Sequence, residues 1–211
     1  MSSEVKANKL SPATGTTTTL GDASDVFQLP ASGEIDIASG ATLDINGTAD
    51  FTGATVTGLS AGLFSSYAII ADQKTQNTAG GTFTTGAWRE RDLQTELADP
   101  DGIVSISSNQ FTLAAGTYLI KWICPAYSVG SHQTRLYNVT DAAVVEVGMS
   151  ASDGTYPIGT VALGSARTTI AGSKAFSIEH QSQLTEATTG FGYNFGLSTN
   201  EQYTTVEIFK E

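Results

Sequence analysis

Arginine and carboxylate alternate in Arg89-Glu90-Arg91-Asp92, and residues two apart on an extended strand share a face. Glu90 and Asp92 would then stand roughly 6–7 Å apart, compatible with the paired acids of a glycosidase. The interleaved arginines favour a plainer reading, a solvent-facing strand kept soluble by its charges or an ion-pair face between subunits. Asp99-Pro100-Asp101-Gly102 has some oxygens of a cation loop but lacks the further ligands, and the same string is a turn. His132 and His180 have no Cys, Asp or Glu at metal-ligand spacing beside them. His180 alternates with Ile178 as a strand residue, while His132 follows Gly130-Ser131 and reads as an exposed loop residue. The single cysteine, Cys124, lies in the apolar run 118–126 and reads as buried and inert, with no intrachain partner. No Ser/His/Asp order, phosphate loop or zinc spacing occurs. The sequence therefore predicts no catalytic residue, no metal ligand and no cofactor.

Aromatic side chains near turns are the better candidates for contact with a ligand. Tyr127, His132, Tyr156 and Tyr193 all fall beside turn signals, and glycans are recognised on flat stacking surfaces with polar neighbours. The competing reading is that these rings pack between subunits.

The 211 residues carry a formal net charge of −11 with only 15% charged residues. No Lys or Arg occurs between Lys9 and Lys74. Such a chain cannot neutralise phosphates, which excludes nucleic acid and disfavours anionic membrane surfaces. No apolar run approaches the length of a membrane-spanning helix, so no membrane insertion is expected.

The elements that must position these residues fall into an arm (1–32), a shaft (33–60), a joint (61–66) and a head (67–211). In the shaft, Gly33, Gly40, Gly47, Gly53 and Gly58 punctuate three apolar–Asp–apolar units centred on Asp36, Asp44 and Asp50. Strand alternation sends the apolar pair of each unit to one side and the Asp to the other. One copy of so thin an apolar edge cannot offset the entropy of ordering it. The shaft should therefore pair with copies of itself, with Ile35, Ile37, Leu43, Ile45, Phe51 and Val56 on the common axis and the three Asp outward.

Apart from Phe27 and Phe51, every Phe, Tyr and Trp lies at or after Phe64, enough to build a thick core there. Turn signals divide the head into about eight to ten strands, the pattern of an all-β sandwich or jelly roll. Runs 82–93 and 191–197 are among the expected strands, and Trp88 is large enough to seal one end.

Two resemblances follow. Leu10-Ser11-Pro12, the Thr16–Thr19 run, Leu20-Gly21-Asp22, Asp25, Pro30 and Ser32-Gly33 resemble the N-terminal part of tailed-bacteriophage fibre proteins. In the head, Gly81-Thr82-Phe83, the run from Gly86-Ala87-Trp88 to Leu93, Phe111-Thr112-Leu113, Gly116-Thr117-Tyr118, Trp122 and the run from His132 to Asn138 are similar to the C1q/TNF-like jelly roll, in the version that caps phage fibres.

Together these imply an all-β, homotrimeric virion fibre without enzymatic activity, assembled in the host cytoplasm. Residues 1–32 would dock to another virion protein, and the head would meet a host surface glycan or protein. A tail fibre is the first expectation and a capsid-mounted head or decoration fibre the alternative. A glycan-degrading spike and a soluble C1q/TNF-like recognition protein are the remaining readings.

Overall fold

The computed structural model describes residues 64–154 and 158–211. The arm, the shaft with its six axial residues, its three Asp, and Tyr156 lie outside the described residues.

Eleven strands and no helix make up the described residues: β1 (Ser66–Lys74), β2 (Arg89–Glu90), β3 (Thr95–Ala98), β4 (Val104–Ser107), β5 (Gln110–Leu113), β6 (Gly116–Tyr127), β7 (Ser131–Asn138), β8 (Ala143–Ser152), β9 (Gly159–Ile170), β10 (Lys174–Ser182) and β11 (Glu201–Lys210). Sheet one has the order β3-β1-β11-β6-β9 and sheet two the order β4-β5-β10-β7-β8, every pairing antiparallel. With β2 paired to β10 in sheet two, the chain crosses between the sheets after β1, β2, β3, β5, β6, β8, β9 and β10, the winding of a jelly-roll sandwich.

Strand alternation explains the core. In β6, Tyr118, Ile120, Trp122, Cys124 and Ala126 are all buried, while Lys121 and Ile123 face outward. Tyr118, Ile120, Trp122 and Cys124 pack with Ile70, Val206 and Ile208 of sheet one and Phe111, Leu136, Phe176 and Ile178 of sheet two, while Ala126 packs with Phe83, Val129 and Phe191. Trp122, not Trp88, is the tryptophan of the core, and its indole donates to Thr134 Oγ1 at 2.8 Å. Gly164 in β9 makes room for it, since a Cβ there would come within 2.0 Å of the indole ring. Trp88 instead lies half-buried under the Arg135 guanidinium, 4.3 Å from its ring centre.

Two expected strands are corrected. Run 82–93 yields only the two-residue β2. It pairs with Glu179 and His180, beyond the Lys174–Phe176 stretch of β10 that β5 occupies, so only a short length of that edge is open. Residues 191–197 form a loop, because Gly192 and Gly196 both have positive φ (151° and 65°). β3, which was not expected, pairs with Ile69–Ala71 at the edge of sheet one.

The register also defines two poles. Ser66 pairs with Lys210, Lys210 with Tyr118 and Tyr118 with Thr168, so the chain enters the sandwich at that end. Tyr127 closes β6 opposite Gly159, about 30 Å along the strand from Tyr118.

Candidate functional site

The pole opposite the entry point holds two of the candidate aromatics together. The rings of Tyr127 and Tyr193 lie 4.9 Å apart, centre to centre, and Tyr193 lies 5.4 Å from Phe195. Phe195 is 70% exposed and Leu197 77%, so this loop turns apolar surface to solvent. Phe195 was missed because it sits in a run read as strand. Its signal was the neighbouring glycines.

Glu201 holds the loop in place. Its carboxylate accepts from the backbone N–H of Gly196 (2.9 Å), Asn77 (3.2 Å) and Phe195 (3.4 Å). The Gly196 bond above all keeps its carboxyl below the usual range. Asn194 Nδ2 donates to Asn77 O at 3.2 Å, tying loop 191–200 to loop 75–80.

His132 is corrected. It is a strand residue of β7 at 3% exposure rather than an exposed loop residue, because Val129-Gly130 completes the turn before it. Nor are the two histidines independent. His132 Nδ1 lies 2.8 Å from His180 Nε2, and its Nε2 lies 2.7 Å from Thr160 Oγ1. On its other side His180 presents Nδ1 to Arg91 Nη1 at 3.5 Å.

Arginine only donates, so the chain has one direction. Arg91 donates to His180, His180 Nε2–H to His132, and His132 Nε2–H to Thr160. Burial first, then Arg91 and His132, pushes His180 well below the usual histidine range. Burial also lowers His132, against the opposing pull of Asp153. Both rings are therefore neutral at physiological pH.

Arg91 corrects the reading of the Arg89–Asp92 run as a solvated face. It is fully buried, donating to Thr204 Oγ1 (2.5 Å) and Phe191 O (2.8 Å) and standing 4.2 Å over the Phe191 ring. The chain turns inward where β2 ends, with Arg91 N–H donating to Ile178 O and Leu93 N–H to Arg91 O. Glu90 and Asp92 consequently diverge. Glu90 Oε1 accepts from Gln110 of β5 at 2.9 Å, and Asp92 Oδ2 from Lys74 of β1 at 3.0 Å. They do not form a facing acid pair.

Nearby, Asp72 is 1% exposed with Lys74 Nζ 3.1 Å from its Oδ1, and burial raises its carboxyl. Cys124 is buried, and that burial pushes its thiol up to about 11. Asp99 caps its own turn, accepting from Ile103 N–H (2.8 Å) and Val104 N–H (2.9 Å). Among the described residues no cluster of three or more His, Cys, Asp or Glu could hold a metal.

A second feature is the outer face of sheet one. Cross-strand rows place Tyr67, Phe209 and Leu119 beside Arg167, Ile69 beside Glu207 and Lys121, and Ile123 beside Leu163. Around the β9 edge they continue into Val147 and Met149 of β8, which line with Ile123 and Leu163 an open groove of about 580 Å³. Ile123, Val147, Met149, Val161 and Leu163 are 42–63% exposed.

Strand order and winding define the head as a jelly-roll β-sandwich. No family model matches the chain, and no curated protein matches its sequence. Among solved structures, the globular domain of zebrafish complement 1qA is similar at a TM-score of 0.41 and 12% identity, over 69% of this chain and 96% of that one. Murine APRIL at pH 8.5 is similar at 0.45 and 7%, over 69% and 99%.

Proposed function

We propose that this chain is a homotrimeric structural virion fibre, most simply a phage tail fibre, whose jelly-roll head trimerises through the outer face of sheet one and contacts the host surface at its far pole. One observation carries the reading: the band formed by Ile123, Val147, Met149, Val161 and Leu163, left open to solvent on one side of an otherwise well-packed sandwich. Contiguous apolar patches of this kind mark association surfaces. A threefold arrangement fits the self-pairing expected of shaft residues 33–60 on sequence grounds. Three identical sites per fibre would then multiply a weak surface contact by avidity. The acid pair suggested by the sequence is not assembled, since Glu90 and Asp92 are bound to different sheets, and the reading has no catalytic step.

Light scattering on the purified full chain should give the mass of three 21.9 kDa chains. A single-chain mass at micromolar concentration sinks the proposal. Antibody labelling of intact particles should place the chain on the tail; label on the capsid would replace tail fibre with head decoration.

A further inference from the structure

We propose that the pole opposite Phe64 is a binding site for a neutral saccharide, stacked on Tyr127, Tyr193 and Phe195 and hydrogen-bonded by the amides of Gln76, Asn77 and Asn194. This deepens the host-surface reading above and rests on it for biological context.

Position comes first. Residues 1–63 join the sandwich at Phe64, beside Lys210, so their point of attachment lies at the other pole, about 30 Å along the strands. The ring cluster is thus at the end of the strands away from the chain's entry into the sandwich.

Chemistry comes second. Successive ring centres are 4.9 and 5.4 Å apart, a step close to the length of one sugar unit in a linear oligosaccharide. The rings are tilted by 42° and 63°, which makes a staircase of separate ring surfaces, not one slab. Together they give a stepped apolar surface against which a pyranose C–H face can rest.

Polar partners stand beside them. Gln76 and Asn77 are exposed and Asn194 half-exposed. Gln76 Nε2 and Asn194 Nδ2 are committed to Gly196 O and Asn77 O, which holds these side chains through their nitrogens and leaves their amide oxygens uncommitted. Among the described residues, the hydroxyls of Tyr127 and Tyr193, the side-chain amide of Asn77 and those two oxygens have no hydrogen-bond partner. A saccharide's hydroxyls match such a mixed set of donors and acceptors.

Charge decides the class of saccharide. Residues 75–80 and 191–200 contain no Asp, Glu, Lys or Arg. The flanking charges are committed elsewhere: Glu201 accepts from three backbone N–H groups, and Lys74, opposite it in the register, is paired with Asp72 and Asp92. With no cation in either loop, a sialylated, sulfated or phosphorylated glycan would find no counter-charge, and an anionic membrane none either. A neutral sugar needs none.

The test is to probe the full chain with arrayed short linear oligosaccharides of glucose, galactose, mannose and N-acetylglucosamine, with sialylated and sulfated glycans alongside. At least one neutral series should bind, ahead of the anionic glycans. Phe195→Ala and Tyr193→Ala should each weaken it about tenfold or more. Phe195 is 70% exposed, so its truncation should leave mass and thermal unfolding unchanged.

Binding by none of the neutral series overturns the site, as does a preference for the anionic set. A drop in oligomer mass in Phe195→Ala overturns it too, showing the rings to be an interface between copies. So does cell-surface binding that protease abolishes while no saccharide binds, which points to a protein partner. A single-chain wild type that still binds sugar would sink the fibre reading and keep this one; three-chain mass without sugar binding does the reverse.

Discussion

The outer face of sheet one and the outer face of sheet two obey the same strand period but are finished differently. On sheet two, Arg135 Nη2 and Nε reach Glu179 Oε2 at 2.5 Å, with the guanidinium between the rings of Trp88 (4.3 Å) and Tyr137 (4.9 Å). Glu90 is satisfied by Gln110 beside it. Sheet one presents Ile123, Val161 and Leu163 beside the long ion pair Lys121–Glu207 at 3.6 Å, while its short pair, Arg167–Glu211 at 2.6 Å, stands nearer the entry end. Around Arg135 the polar groups of sheet two are satisfied within one chain, and its exposed aliphatics, Val144, Val147 and Met149, are confined to the edge strand β8 next to the sheet-one band. A face that leaves aliphatic side chains nearly half exposed is completed by something else, which is the physical content of the trimer proposal.

The severest way to break the contrast is to remove the wall that both faces share. Trp122→Ala should cost about 3–5 kcal/mol in chemical denaturation, and leaves the hydroxyl of Thr134 without its donor. Gly164→Ala attacks the same contact from the other side, and overpacking should cost about 1–3 kcal/mol. Both variants should lose both faces together; equal loss of neither would mean that Trp122 is not the common support.

The two faces can then be separated. Leu163→Glu buries no charge in the isolated head, since Leu163 is 42% exposed. It should reduce a three-chain mass to a single-chain mass while the head still unfolds cooperatively. Arg135→Ala should do the opposite, lowering the head's stability by about 1–3 kcal/mol through the loss of the Glu179 pair and the Trp88 contact, with mass unchanged. If Leu163→Glu keeps its mass, the sheet-one face is not the interface.

Alternation made most of this sandwich legible, because β6, β7, β10 and β11 each carry a long buried face with period two. It failed where local pairing is interrupted. The Arg89–Asp92 run looks like an amphipathic strand, yet the chain leaves β10 after Glu90 and drops Arg91 into the interior. Period alone cannot foresee that, since the acceptors of Arg91 are His180, the Phe191 carbonyl and Thr204, 89 to 113 residues away. The His132–His180 pair was hidden for the same reason: the two are diagonal neighbours across β7 and β10, His132 registered with Ser182 and His180 with Thr134, and such pairs have no sequence spacing to recognise. Tyr127 and Tyr193 were legible as turn-side aromatics, but their meeting depends on the same long-range topology.

The histidine chain adds a smaller, pH-dependent effect, and it joins the sheets, since His132 is in sheet two and Thr160 in sheet one. Both histidines are held below their usual value, so the folded state prefers them neutral. Their contribution is complete above about pH 6.5 and declines as pH falls below it. A proton on His132 Nδ1 would oppose the N–H of His180, with Arg91 behind it and only Asp153 in favour. Asp72 has the opposite sign, because burial raises it and acid relieves it. Thermal unfolding should therefore weaken between about pH 7.5 and about pH 5.5, and His132→Gln should flatten that slope. An unchanged slope in His132→Gln would assign the pH dependence to other groups.

The mildest expected effect concerns the far pole. Glu201 is held below the usual carboxylate range chiefly by the Gly196 N–H, so its grip on the loop is complete at neutral pH and is lost only as pH falls through its lowered value. Glu201→Gln keeps the shape but replaces charge-assisted acceptance by a neutral amide. Gly196 has φ 65°, and a Cβ there would meet Asn77 Oδ1 at 2.3 Å, so the loop has few other ways to fold. Hydrogen exchange at Tyr193–Leu197 should accelerate in Glu201→Gln at neutral pH while β6 and β11 stay protected. Exchange that rises in β11 as well would show the loop and the sheet to open as one unit, and the contrast between a finished sandwich and a separately tethered pole would not hold.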